Sequence, residues 1–330
     1  MEYTSIPGIK TKVSKICFGA GNVDFEHGRE NIEMLDAFLA KGGNFIDTAN
    51  IYGKWLESGS NESEIILGQW LDKKIVLERS IQRSDIVIST KGGHPNLETM
   101  DIPRIFKKDI LKDLEESLMS MNTDYIDIYW LHRDAPQYPI EMVLEPLLDI
   151  RKEGKILFFG LSNWSSERIV EAEKFLDDKN CKNGLFGIQN RWGYAAMNIK
   201  GTEDPTLVSM TQDEYDWHFR TRIASMPYSG MAKGYFTKLQ KSGKNKLDQK
   251  LLDYYDNDLN DERMKALSTI SCEINRPVSQ ISLAFLLNQS FPVFPIVRFA
   301  NEYQMADAFE ATSIILSDRQ MDLLRQGRSF

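Results

Sequence analysis

Five runs of apolar and β-branched residues end on side chains that can hold or move a proton. Asp47 closes NFID, Lys91 closes DIVISTK, His132 closes DYIDIYWLH, Ser162 and Asn163 close FFGLSN, and Gln189 closes LFGIQ. Tyr52 follows Asp47 by one short turn. None of these is a strong nucleophile with a partnered base. They suit proton delivery. A free tyrosine titrates near ~10 and is a poor acid at neutral pH. A lysine ammonium beside it favours the phenolate and eases release of the proton, while a carboxylate keeps that ammonium charged and in place. His132 can then donate a hydrogen bond that orients a substrate oxygen. Such a set performs half of a reduction and needs a cofactor for the other half.

The elements that must position these groups alternate between short strands and amphipathic helices, the pattern of a parallel sheet with helical crossovers. Eight strand-like runs are present: 16–18, 44–47, 85–90, 125–131, 158–162, 185–189, 222–226 and 293–297. Several are almost continuously apolar, as buried parallel strands are. Between them, Ile32, Leu35 and Leu39, then Leu111, Leu114 and Leu118, recur at i, i+3 and i+7, which predicts helices with one buried face. The expected fold is α/β, a (β/α)8 TIM barrel in which residues 1–330 form a single domain. The segments 193–212 and 239–260, rich in Asn, Lys, Asp and Gly, are expected to be long loops at the C-terminal face. In such a barrel the mouth at the strand ends is where chemistry occurs.

Composition removes other classes. With 42% hydrophobic and 27% charged residues the 330-residue chain can bury a full core, and no segment approaches the ~20 apolar residues of a membrane span. A net charge of −8 without a long Lys/Arg block argues against nucleic acid and anionic membranes as partners. The N-terminal MEYTSIPGIK lacks the apolar run of a secretory leader, and three scattered cysteines, Cys17, Cys181 and Cys272, do not make a disulfide framework, so a cytoplasmic location is expected. Four histidines, none at zinc-ligand spacing with another, give no metal site. GAGNVD mimics part of a dinucleotide-binding fingerprint, but Asp24 stands where its third glycine belongs.

DTANIYG, then TKGG, YIDIYWLH and GLSNW in that order, make the chain similar to the aldo-keto reductases over almost its whole length. The resemblance implies an NAD(P)H-dependent oxidoreductase that reduces an aldehyde or ketone, a sugar or small polar carbonyl among the options, to an alcohol. It places Asp47, Tyr52, Lys91 and His132 on the family's catalytic tetrad, with Tyr52 as proton donor. Ser162, Asn163 and Gln189 match residues at the nicotinamide, Asp47 lies near its ribose, and Gly19, Ala20 and Gly21 match the loop beneath that ribose. Met226, Pro227, Tyr228, Ser229 and Gly230 match the segment around the pyrophosphate, and Arg298, Asn301 and Gln304 the grip on the adenosine end. Candidate substrate contacts are Asn22, Trp55, His94, Arg133, Trp164 and Trp192. A second reading is a catalytically weak nicotinamide-binding barrel that acts as a sensor or regulatory subunit.

Two positions depart from the family's pattern. Ser225 stands where an aromatic residue often stacks on the nicotinamide, and Arg298 replaces the glycine that commonly follows the eighth strand. A guanidinium can clamp a phosphate through two parallel hydrogen bonds. NADP(H) is therefore the favoured cofactor, with NAD(H) as the alternative.

Overall fold

The computed structural model describes residues 1–21, 28–198 and 204–325, with the side chains of 28–31 excepted. The chain divides into two compact units, one of residues 3–189 and one of residues 190–325 with Met1 and Glu2.

The first unit opens with an antiparallel hairpin, β1 (Tyr3–Thr4) and β2 (Val13–Ser14). Six strands follow: β3 (Cys17–Gly19), β4 (Phe45–Asp47), β5 (Val87–Gly92), β6 (Ile126–Leu131), β7 (Ile156–Ser162) and β8 (Leu185–Gln189). Each runs parallel to the next. The helices between them are α1 (Gly28–Ala40), α2 (Glu62–Asp72), α3 (Lys107–Ser120), α4 (Ile140–Lys152) and α5 (Ser166–Asp178). Every residue of β5 and β6 is buried, the polar Ser89, Thr90, Lys91 and Asp127 included. Beneath the strand ends the sheet packs aromatic rings edge to face, Phe45, Trp130 and Phe158 all meeting Phe186. Gly160, the register partner of Trp130, leaves room for that indole, which any β-carbon at 160 would overlap. The hairpin closes the other end of the strands: Asn44, just before β4, bonds the Ser14 amide and the Lys12 carbonyl, and Gly8 rests on the Phe158 ring.

The second unit holds α6 (Gln212–Thr221), β9 (Ala224–Ser225), α7 (Tyr235–Ser242), α8 (Gln249–Tyr255), α9 (Asp258–Ile274), α10 (Val278–Leu287), β10 (Ile296–Val297), α11 (Glu302–Ala311) and α12 (Asp318–Arg325). Ser225 bridges Val293 in parallel, and Ile296 donates to the Pro227 carbonyl at 2.9 Å, so the seventh and eighth expected runs lie side by side. The stretch 239–260 is helical rather than the expected long loop, because its polar residues cap helices. Asp248 accepts from the Leu251 amide to start α8, and Asn257 accepts from the Asn260 amide to start α9. Among the described residues no helix is long and apolar enough to cross a membrane, and Cys17, Cys181 and Cys272 are free thiols.

Candidate active site

The register of the first unit fixes which strand ends meet. Gly19 lies beside Asp47, Asp47 beside Ser89, and Ser162 beside Gln189. Along β5 side chains alternate between faces, so Ser89 and Lys91 point the same way. Both reach Asp47: Lys91 Nζ lies 2.5 Å from Oδ2, and Ser89 Oγ donates to Oδ1 at 2.7 Å. Gln189 Nε2 also donates to Oδ1, at 3.2 Å, and Lys91 makes a second bond to the Thr48 carbonyl at 2.6 Å. The Lys91 and Asp47 side chains are 2% and 4% exposed, a fully desolvated ion pair. Burial works against the ammonium, but the Asp47 carboxylate and then the Tyr52 phenol outweigh it, so Lys91 is held charged above its ordinary range.

Tyr52 sits in the tight turns after β4, its amide donating to the Ala49 carbonyl and its carbonyl accepting from the Ser63 amide. Lys91 Nζ lies 5.0 Å from the centre of the Tyr52 ring, and the His132 ring crosses it edge-on at 5.9 Å. Gly21 lies flat against the same ring: a β-carbon there would come within 2.7 Å of Cε2. Ala20 donates to the Asp47 carbonyl, so the segment 19–21 follows Asp47 and then Tyr52.

His132 caps the end of β6, its amide bonded to the Gly92 carbonyl. Burial, then the neighbouring Arg133, His94 and Lys91, push its imidazole well below the ordinary range, so it is neutral and carries a single N–H. Its buried Nδ1 has no hydrogen-bond partner among the described residues. The His94 ring stands 4.9 Å away, and Arg133 Nη1 donates to the His132 carbonyl. Ser162 Oγ donates to the Gln189 carbonyl, and Asn163 Nδ2 donates to Ser162 Oγ and the His132 carbonyl. Asn163 has φ 61°, a left-handed conformation that asparagine tolerates better than most side chains. Thus Gly19, Ala20, Gly21, Asp47, Tyr52, Lys91, His132, Ser162, Asn163 and Gln189 come together at one end of β3–β8.

The other expected residues are more varied. Trp55 meets the Tyr52 ring edge-on and is 49% exposed, whereas Trp164 is fully buried with the Arg168 guanidinium over its ring. Asn22 lies outside the described residues. In the second unit, Met226 and Pro227 are buried, Ser229 is exposed with φ 61°, and Gly230 packs against Gly193. Tyr228 takes the Trp192 amide on its carbonyl, and its ring lies under the Arg191 guanidinium. Ser225 Oγ is buried without a partner among the described residues. Arg298 is exposed. Asn301 and Gln304 form a reciprocal cap on α11, Asn301 accepting from the Gln304 amide and Gln304 from the Ala300 amide. A cavity of about 1570 Å³ lies wholly within the second unit, with Trp192, Tyr194, Ser229 and Tyr255 in its wall.

Sequence reasoning missed Ser89, which bonds Asp47 on one side and accepts from the Trp130 indole at 2.6 Å on the other. Its signal was the two-residue spacing to Lys91.

The pattern that defines the Aldo/keto reductase family matches residues 15–327. The chain belongs to that family. This aldo/keto reductase is 26% identical to "Aryl-alcohol dehydrogenase [NADP(+)]" of Phanerodontia chrysosporium, over 93% of its own length and 77% of that protein. It is 24% identical to norsolorinic acid reductase B of Dothistroma septosporum, over 100% and 82% respectively. Among solved structures, the thermostable aldo-keto reductase Tm1743, crystallised with the inhibitor epalrestat, superposes with a TM-score of 0.70 at 21% identity, covering 99% of this chain and 100% of that one. The fold is the (β/α)8 barrel, and the aldo/keto reductase is an NAD(P)H-dependent oxidoreductase.

Proposed function

We propose that this aldo/keto reductase reduces aldehydes or ketones to alcohols, with Tyr52 giving the carbonyl oxygen its proton. The observation that carries the reading is that the buried Lys91–Asp47 pair and a neutral His132 both stand against the Tyr52 ring. A bound nicotinamide supplies the hydride. Lys91 favours the phenolate that remains after proton transfer, and Asp47 keeps Lys91 charged. Because its imidazole is neutral, His132 orients the substrate oxygen without competing for the proton.

The residues present fit a nicotinamide. Ser162, Asn163 and Gln189 gather hydroxyl and amide groups at one spot, and the lack of a β-carbon at Gly21 lets the segment 19–21 pack against the Tyr52 ring. NADPH is the favoured form, supported by the exposed guanidinium of Arg298 and by the relative named for NADP(+). Two relatives are named for aryl alcohols, so the carbonyl partners of aryl alcohols come first among substrates, and the exposed indole of Trp55 beside Tyr52 offers an aromatic ring something to stack on.

The test is turnover. Purified protein with NADPH or NADH and a panel of aryl, sugar and small polar aldehydes is expected to lose absorbance at the nicotinamide wavelength. Tyr52→Phe should cut the rate by about 10²–10⁴-fold while leaving cofactor affinity intact. Wild-type protein that binds NADPH and reduces nothing in the panel would overturn the reading in favour of a nicotinamide sensor.

A further inference from the structure

Lys91 and Tyr52 reach the candidate site from different segments, β5 and the loop after β4, and something behind them must hold those segments at a fixed spacing. Thr90, between Ser89 and Lys91, points to the opposite face of β5. There its hydroxyl donates to Oε1 of Glu64 at 2.5 Å. Glu64 lies in the first turn of α2 and is completely buried. Its other oxygen, Oε2, accepts from Asn61 Nδ2 at 2.7 Å, Ser117 Oγ at 3.0 Å and Asn50 Nδ2 at 3.5 Å. Asn50 stands two residues before Tyr52, and its amide donates to the Lys91 carbonyl at 2.9 Å. Ser63, the residue before Glu64, donates its amide to the Tyr52 carbonyl and its hydroxyl to the Ala20 carbonyl.

Resting on the function proposed above, we infer that Glu64 is a positioning residue: its carboxyl group ties the strand that carries Lys91 to the loop that carries Tyr52, and so sets their spacing without touching either side chain. No cation pairs with it among the contacts described. The nearby ammonium of Lys54 bonds Asn50 Oδ1 and Glu116 instead. Burial, with a further contribution from the Glu116 charge, pushes the Glu64 carboxyl up to about 7 against hydrogen bonds from Thr90, Asn61 and Ser117 that pull the other way. A leucine would fill such a site without that cost, whereas a side chain ending in two polar atoms, as a carboxyl or an amide does, can bond β5, α2, α3 and the tyrosine loop together.

The experiment compares Glu64→Ala and Glu64→Gln with wild type. Glutamine keeps one acceptor for Asn61 and Ser117 and turns its amino group to the Thr90 hydroxyl, so the link survives. In Glu64→Ala, kcat for the best aldehyde is expected to fall at least about tenfold while substrate KM and NADPH Kd stay within about threefold, since a misplaced acid loses transition-state contacts and not binding. Hydrogen exchange on the cofactor-free protein should show faster uptake at 48–63, where the Asn50 and Ser63 amides lie. Glu64→Gln should return kcat to within about threefold of wild type. A folded Glu64→Ala protein with unchanged kcat, or unchanged exchange at 48–63, overturns the inference and leaves the reductase reading intact. Wild-type protein without turnover overturns both. If Glu64→Ala does not fold, Asn50→Ala removes the loop half of the link and must show the same isolated loss of kcat; an unchanged kcat there overturns the inference equally.

Discussion

The two faces of β5 carry two buried carboxyl groups in opposite settings. On one face Asp47 meets the Lys91 ammonium, a serine hydroxyl and a glutamine amide. On the other Glu64 meets two hydroxyls and two amides, while the Lys54 ammonium, which shares Asn50 with it, is turned to Glu116. Both are desolvated to a similar degree, so the difference lies in the partner. A positive partner makes Asp47 half of an ion pair whose rupture strands a buried charge. Neutral partners leave Glu64 free to bind a proton near neutrality. One strand thus separates a charge that can act on a substrate from a carboxyl group that can only hold its surroundings together.

Breaking the first face should cost most. Asp47→Ala leaves the Lys91 ammonium 2% exposed with the Thr48 carbonyl as its remaining partner. Removing one member of a buried pair typically costs about 3–5 kcal/mol, and urea unfolding at neutral pH should show a loss of that size. Because Lys91 is raised above its ordinary 10.5 in the folded protein, its proton stabilises wild type at every pH below that value, and the contribution is lost only as pH rises through the folded value. The variant should therefore approach wild type only in strong alkali. A loss under about 1 kcal/mol would mean that the pair is not desolvated as described.

Glu64 behaves with the opposite sign. Its folded value, about 7 against 4.5, means that its proton stabilises the fold fully below 4.5 and that this is lost as pH rises through about 7. The shift corresponds to about 3 kcal/mol in all. Glutamine cannot ionise, so the stability of Glu64→Gln relative to wild type should rise by about 2–3 kcal/mol between pH 5 and pH 8, read by denaturant unfolding at each pH. The other ionisable groups facing this carboxyl are Glu116 and Asp113 on α3, Lys54 in the tyrosine loop, Arg104 on Asp113, and Tyr129 on β6. They are present in both proteins, so their own titration largely cancels. A difference that does not change with pH would place the titration elsewhere.

These faces were unequally legible in the sequence. Asp47, Lys91, His132 and Gln189 could be read from strand ends because a parallel sheet brings equivalent ends together whatever the loops do. Glu64 could not, because its burial depends on α3. The stripe Leu111, Leu114 and Leu118 suggests an apolar face, yet the residues buried there are Ile110, Asp113, Leu114 and Ser117. A polar seam between two helices has no periodic signature, since it is defined by partners from another segment. Short polar residues misled in the same way at 239–260, where Asp248 and Asn257 start helices. At Asn301 and Gln304 the spacing N-x-x-Q already described a helix cap. The hairpin of β1 and β2 escaped notice because two-residue strands carry too little alternation to register.

The finest comparison uses neighbours on β5. Ser89→Ala removes a donor to Asp47 and leaves the Trp130 indole N–H buried without its acceptor, a cost of about 1–3 kcal/mol. Thr90→Val keeps the shape of the side chain and removes one of four donors to Glu64, at a cost of about 1 kcal/mol. The two should also part in their pH dependence. The Thr90 hydrogen bond pulls the Glu64 carboxyl down, so its loss should move the Glu64 transition in the stability profile to higher pH. Ser89 lies on the far face and should leave that transition where it is. If Ser89→Ala shifts it as far as Thr90→Val does, β5 does not insulate the two carboxyl groups, and Glu64 would act on the candidate site through the field as well as through position.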